Sequence, residues 1–373
     1  MAEGTATTPA GEPVFAHLHL HSEYSLLDGG NTVERLLARV KELGMTAVAV
    51  TDHGNLFGAM EFYAAARDAG VKPILGIEAY VAVDRDGNPG DRRDKTHTGE
   101  KDGGHHLVLL AEDLEGWRNL LKLSSDSFLN GFYYRPRMDK STLAQWRGGL
   151  IAINGHLGSS IASHLENYVR SGRDEKHWRL AVDEARWHAQ NFAPNAKGEP
   201  RFFIELQRHV PEQEEINPHL RRLARELGLP LVIDNDAHFL RAEDHDVHDT
   251  LCCISMQRTK DDPARLKYPE SLYVKSPLEM RELFPDAEDR DALANAGRIA
   301  ARCDVKLPKG ENHAPVVKVR HPGRGPQYDP ARDGDLTEWF KAYCRLFETL
   351  PFDATKDTDS PADLKAGCDA ALR

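Results

Sequence analysis

The stretch Phe15-Ala-His-Leu-His-Leu-His-Ser-Glu-Tyr-Ser-Leu-Leu-Asp28 decides how the rest of the chain is read. Side chains of a β-strand alternate between its two faces, so His17, His19 and His21 fall on one face and Leu18 and Leu20 on the other. Three neutral imidazoles side by side are poor core filler, because each carries a donor and an acceptor that must be paired when buried. A divalent cation pairs all of them at once. His17 lies about 6.6 Å deeper than His19 along such a strand, which assigns it to support or core.

Outward from this strand the pattern alternates. A capping-box pattern over Asn31-Thr-Val-Glu34 opens a helix with Val33, Leu36, Leu37 and Val40 at helical spacing, and Gly44 stops it. Buried strands are expected at 46–50, 72–81, 105–111, 149–154, 202–206 and 229–234. Helices fall at 57–69, after 111, and at 160–169, 175–192 and 212–227. The charged, Gly-rich residues 84–104 read as an exposed loop. Strand-then-helix units repeated this way predict a closed parallel α/β barrel. A doubly wound sheet would call for a Gly-rich phosphate fingerprint after the first strand, and none is there.

Composition narrows the class. With 373 residues, 40% hydrophobic and 29% charged, the chain has ample interior for a large α/β domain. No apolar run approaches the ~20 residues that span a bilayer, and the N-terminus lacks a signal-peptide pattern, so a cytoplasmic protein is expected. Its five cysteines include no C-x-x-C pair, which argues against a disulfide framework or thiolate zinc site. A net charge of −11 excludes a protein that holds nucleic acid mainly by bulk positive surface. Eighteen histidines are the anomaly.

Many of those histidines stand at strand ends. His19 and His21 end the first strand, His53 the second, Glu78 lies in the third and His106 on the fourth. His156 follows the fifth, Asp236 and His238 the last, and Asp28 sits in the loop after the first. In a barrel of parallel strands those ends meet at the C-terminal mouth. Imidazole mixed with carboxylate predicts a multinuclear centre for Zn²⁺, Mn²⁺ or Fe²⁺.

These motifs resemble a known family. His19-Leu-His21, Thr51-Asp-His-Gly54, Gly76-Ile-Glu78, His106 and Asn235-Asp-Ala-His238 are similar to motifs of the PHP (polymerase and histidinol phosphatase) domain. Tyr24-Ser-Leu-Leu-Asp-Gly29, Asn55-Leu-Phe-Gly58, Leu121-Lys-Leu-Ser-Ser125, Gly131-Phe-Tyr-Tyr-Arg-Pro-Arg137 and Leu272-Tyr-Val-Lys-Ser276 resemble the N-terminal region of bacterial replicative DNA polymerase III alpha subunits, from about Val14 to Ala301. The resemblance implies a distorted seven-stranded (β/α) barrel of PHP type over 14–285. A disordered leader over 1–13 precedes it, and connecting helices with the beginning of a truncated polymerase palm occupy 286–373.

It also implies a site. Three divalent ions are expected, one on His19, His21, Asp236 and a bridging Glu78, one on Asp28, His53 and His238, and one on Glu78, His106 and His156. The implied activity is metal-dependent phosphodiester hydrolysis as a 3′-5′ exonuclease acting on a DNA 3′ end, in a family of DNA-directed DNA polymerases (nucleotidyltransferases). Arg135 and Arg137 offer planar forks for phosphate, while Asp52, His105 and Asp234 are expected to orient ligands. Implied partners are the remainder of the polymerase, the sliding clamp and the proofreading subunit. A metal-stabilised structural module, or a free-standing phosphoesterase such as histidinol phosphatase, is the alternative. Asp289/Asp291, Asp333/Asp335 and Asp357/Asp359 are the Asp-x-Asp pairs of residues 286–373, and none lies in an apolar strand. A palm holds its two Mg²⁺ ions on strand carboxylates, so this chain is not expected to polymerise DNA.

Overall fold

The computed structural model describes residues 15–26, 28–84, 90–94, 103–308 and 335. The expected leader over 1–13 and, apart from residue 335, the part of the expected connecting helices and palm beginning that follows residue 308 lie outside the described residues. The first compact unit ends at Leu307. In chain order it contains α1 (Val33–Glu42), β1 (Ala47–Val50), α2 (Ala59–Asp68), β2 (Lys72–Val81), β3 (His105–Ala111), α3 (Leu114–Asn130), β4 (Phe132–Tyr133) and β5 (Arg135–Met138). There follow α4 (Lys140–Gln145), β6 (Leu150–Asn154), α5 (Ser160–Arg170), α6 (Glu175–Asn191), β7 (Phe202–Leu206), α7 (Pro211–Leu227), β8 (Leu231–Ile233), α8 (His245–Met256), α9 (Pro277–Leu283) and α10 (Arg290–Arg302).

β1, β2, β3, β6, β7 and β8 form one continuous curled sheet in that order. Residues 15–21 join its ends. On one side Ala49 and Thr51 donate backbone bonds to the carbonyls of His17 and Leu20. On the other, His21 and Ala237 exchange bonds through Ala237 O and His19 O. This segment is more irregular than the expected strand: Leu18 N is held by the Asp234 carboxylate and Leu20 N by the Thr51 hydroxyl. With it as the seventh member the sheet closes, and the distorted seven-stranded α/β barrel of PHP type is the fold.

The expected all-parallel sheet needs one correction. β3 runs antiparallel to both β2 and β6. The described residues between β2 and β3 hold no helix, and β3 returns directly beside β2. Its start, not its finish, therefore stands at the mouth: Tyr80 near the end of β2 is opposite His106. The short β4/β5 hairpin, unread in the sequence, pairs Tyr80 with Arg137 on the free flank of β2 beyond β1.

The expected capping box at 31–34 is also different. Thr32 makes no side-chain cap bond, and Glu23 Oε1 accepts from Val33 N instead. Asn31 turns inward, its amide donating to His21 O and Ala237 O. A residue type that signals a helix start here ties the two ends of the barrel. The hydrophobic core of the unit includes Leu18, Leu20, Ile74, Leu107, Leu109, Ile151, Ile204 and Val232, all buried, and α10 packs over β8.

Candidate metal centre

All nine expected donors meet at one mouth of the barrel. His19 Nε2 lies 3.3 Å from Glu78 Oε1 and 3.3 Å from Asp236 Oδ1. His21 Nε2 lies 3.4 Å from Glu78 Oε2 and 3.1 Å from Asp236 Oδ1. Beside this group, Asp28 Oδ2 is 3.3 Å from His53 Nε2 and 3.9 Å from His238 Nε2. On its other flank, Glu78 Oε1 is 2.8 Å from His106 Nδ1 and 3.0 Å from His156 Nε2. Glu78 therefore stands in the middle, with its second oxygen 2.5 Å from His53 Nδ1.

The outer nitrogens of the rings fix which nitrogen faces inward. His19 Nδ1 donates to the Glu205 carboxylate at 3.0 Å and His238 Nδ1 to the Asp236 carbonyl at 2.8 Å. Ser25 donates its hydroxyl to Asp52, so its oxygen accepts from His21 Nδ1 at 2.9 Å. A carboxylate, a carbonyl and a committed hydroxyl can only accept, and each ring is left with its lone pair on Nε2. Those inward atoms, His19 Nε2, His21 Nε2, His156 Nε2, His238 Nε2, Asp28 Oδ1, Glu78 Oε2 and Asp236 Oδ1, are buried and have no hydrogen-bond partner. Orphaned buried polar atoms are rare, and a converging set of lone pairs and carboxylates fits divalent cations of the Zn²⁺, Mn²⁺ or Fe²⁺ type.

The electrostatics agree. Burial pushes His19 down, but Asp236, Glu205 and Glu78 prevail and hold it well above the usual imidazole range. His156 is likewise held up at about 9, against burial, by Glu205 and Glu78. Burial opposes ionisation of Glu78 and Asp236, yet the surrounding imidazoles keep both well below the usual carboxylate range. His21 goes the other way, to about 3, through burial and the neighbouring His53 and His238. A field that retains protons on some rings and excludes them from another is one that favours a compact cation among them.

Not every expected supporting residue is where the sequence put it. Asp52 does support the site, through Ser22 and Ser25, and Asp234 holds the Leu18 amide. His105 does not: alternation along β3 turns it away from His106, into a hollow with Lys140, His164 and Glu184. His17 is fully buried below the centre, with Nε2 2.9 Å from Lys275 O. Arg135 is half-buried over the Tyr80 ring, which stacks on His53. Arg137 is a correction to the expected pair of phosphate contacts: it is 5% exposed, lies over Tyr133 and donates to Asp94 O, which commits its guanidinium to the protein.

Three residues escaped the sequence reading. Glu205 is fully buried and stands 3.0 Å from His19 Nδ1 and 3.4 Å from His156 Nδ1. Its signal was an acid inside the apolar run Phe202-Phe-Ile-Glu-Leu206. Tyr268 donates to Asp28 Oδ2 at 2.5 Å, and His248 Nε2 donates to Asp28 O at 2.7 Å. Neither carries a local signal, since both reach Asp28 across more than 200 residues of chain.

Comparison with known proteins places this geometry. A model of the PHP domain matches residues 17–209. The chain is 44% identical over 303 residues to DNA polymerase III subunit alpha of Thermus aquaticus, covering 80% of this chain and 23% of that protein. It is 41% identical over 295 residues to the subunit of Borreliella burgdorferi, covering 78% and 24%, and 41% identical over 306 residues to that of Deinococcus radiodurans, covering 80% and 22%. The chain spans about a quarter of the length of these curated relatives. No described helix is long and apolar enough to cross a membrane.

Proposed function

The chain belongs to the PHP domain family, and on that premise we propose that it is part of a bacterial DNA polymerase III alpha subunit whose barrel carries a three-ion centre hydrolysing DNA from the 3′ end. The ligand sets are His19, His21, Asp236 and Glu78; Asp28, His53 and His238; and Glu78, His106 and His156. The observation that carries the reading is the convergence of orphaned, inward-facing donor atoms held by outward hydrogen bonds. Divalent ions held by these residues would supply a nucleophilic water near neutral pH and would polarise a phosphoryl oxygen.

The chain's own groups supply access and orientation. The side chains of His53, His106 and Asp236 remain 12%, 14% and 19% exposed while the rest of the set is closed off, so a phosphodiester reaches the centre over these three edges. Arg135, at the same rim, is the residue that contacts phosphate, and Arg137 braces the hairpin beneath it. Open ligand edges favour a hydrolase over a sealed structural metal site, which closes its coordination. The proposed partners are the rest of the polymerase, the sliding clamp and the proofreading subunit, in the bacterial cytoplasm, a reading supported by the likeness to DNA polymerase III alpha subunits.

Polymerisation is not assigned to this chain. Asp289 of the first Asp-x-Asp pair, just before α10, is fully buried and accepts three bonds from Arg221, which commits it to packing; Asp333, Asp357 and Asp359 lie outside the described residues. The deciding assay follows 3′-labelled single-stranded DNA with the purified 373-residue chain and Mn²⁺ or Zn²⁺. Release of labelled mononucleotide, lost in Asp28→Asn and His53→Ala, is the expected result. Full metal occupancy with no release would instead establish a structural brace, and cleavage of small phosphomonoesters alone a free-standing phosphatase.

A further inference from the structure

The segment Ser271-Leu-Tyr-Val-Lys-Ser276 has no part in the ligand set, yet it lies as a strap along the ligand-bearing residues 235–239. Phe239 pairs with Tyr273, His238 N donates to Leu272 O at 2.7 Å, and Val274 N donates to Phe239 O at 3.0 Å. Within the strap Lys275 is 5% exposed. Its ammonium donates to Asn235 Oδ1 at 3.1 Å and to Ser271 O, and sits 4.2 Å over the Tyr273 ring. Among the described residues no carboxylate pairs with it. An ammonium buried on neutral partners is an expensive choice for packing alone.

Asn235 completes the link. It is fully buried, and its amide donates to Tyr273 O at 2.8 Å and Ser271 O at 3.3 Å. The next residue, Asp236, has φ +47°, a left-handed backbone that Asp reaches more easily than most residues with a side chain but still at a cost in strain. That backbone aims Asp236 Oδ1 at Nε2 of both His19 and His21. His17 anchors the far side, its Nε2 donating to Lys275 O.

We propose that Lys275 is a positioning residue for the metal centre, acting through Asn235 to hold Asp236 in its left-handed turn and so to place the carboxylate between His19 and His21. The assignment rests on the three-ion reading above. It gives roles to the leftover histidine of the opening stretch and to the Leu-Tyr-Val-Lys-Ser motif, and it makes the last strand's ligand loop dependent on chain some forty residues further on.

The test measures Zn²⁺ and Mn²⁺ affinity of the full chain by chelator competition, together with metal-free thermal unfolding. Lys275→Met is expected to weaken affinity at least about tenfold, as loss of an outer partner of a ligand typically does. Leu278→Ala, at an exposed position just past the strap, is expected to leave affinity unchanged. In an Asp236→Asn background Lys275→Met is expected to add nothing, because its effect passes through that carboxylate. If Lys275→Met does not fold, Asn235→Ala carries the same expectation. Parent-like affinity in Lys275→Met, or an undiminished further loss in the Asp236→Asn background, overturns the assignment while leaving the centre intact. A parent chain that binds neither ion overturns the centre and the assignment together.

Discussion

Two clusters of histidine and carboxylate meet at β3: His106 Nδ1 stands 2.8 Å from Glu78 in the proposed metal centre, while His105 lines a hollow with Asp84, Lys140, His164, Glu184 and His188 that His106 only borders. By residue type they look alike. In the hollow, however, the cation is built into the chain. Lys140 Nζ donates to Glu184 Oε2 at 2.6 Å and also to Asp84, while His188 Nδ1 donates to the Glu184 carbonyl at 2.9 Å. Burial pushes His105 down to about 4, which keeps it neutral beside the lysine. At the mouth no lysine or arginine enters among the described donors, and the inward atoms stay orphaned. What separates a metal site from a structural polar cluster is therefore where the compensating positive charge comes from.

The largest expected effect separates the two directly. Chelation is expected to lower the unfolding free energy by about 4 kcal/mol for each ion that had been present at 1,000 times its Kd, read as a drop in thermal midpoint. Superimposable melting curves with and without chelator would mean that the mouth, like the hollow, is complete in itself.

Lys140→Met is expected to cost about 3 kcal/mol, because it leaves the 8%-exposed Glu184 side chain as an unpaired buried charge. Its cost should be the same with or without chelator, with metal content unchanged. The pH dependence has a definite sign. Burial raises Glu184, but His188 and Lys140 outweigh it and hold the carboxyl below its ordinary range. The stability this provides is present above the unfolded carboxyl pKa of about 4.3 and is lost as pH falls through the lower folded value. Denaturant titrations of parent and Lys140→Met should therefore converge in acid; a gap that widens there would contradict the pairing.

Gly158→Ala gives the smallest and most local change. A methyl group there would stand 3.1 Å from His106 Nδ1 and 3.2 Å from His156 Nε2. Crowding of this kind costs about 1–3 kcal/mol and is expected to empty the Glu78, His106 and His156 position alone, seen as a partial fall in metal stoichiometry by elemental analysis. Complete retention of metal would place the third ion elsewhere.

Much of the barrel is legible in one dimension. Apolar runs at 47–50, 72–81, 150–154 and 202–206 correspond to strands buried on both faces, and the histidines and acids at strand ends mark the mouth by their position in the chain alone. Less legible is the reversal of β3, because His105 to Ala111 reads as the same apolar run in either direction. Only the lack of a helical pattern over 84–104 hints at it. The reversal matters for chemistry: His106, second in its strand, would stand at the wrong end of a parallel one.

The sequence alone determined which residues carry metal-binding chemistry and that the chain alternates strands and helices, since residue type and hydrophobic period are local properties. Only the tertiary structure decided how they are used. It divided His105 from His106, drew Glu205 and Tyr268 to the ligands, and set Lys275 and Asn235 against Asp236. Those contacts join parts of the chain tens to hundreds of residues apart, and pairing of a buried polar atom depends on what folding brings within about 3 Å of it.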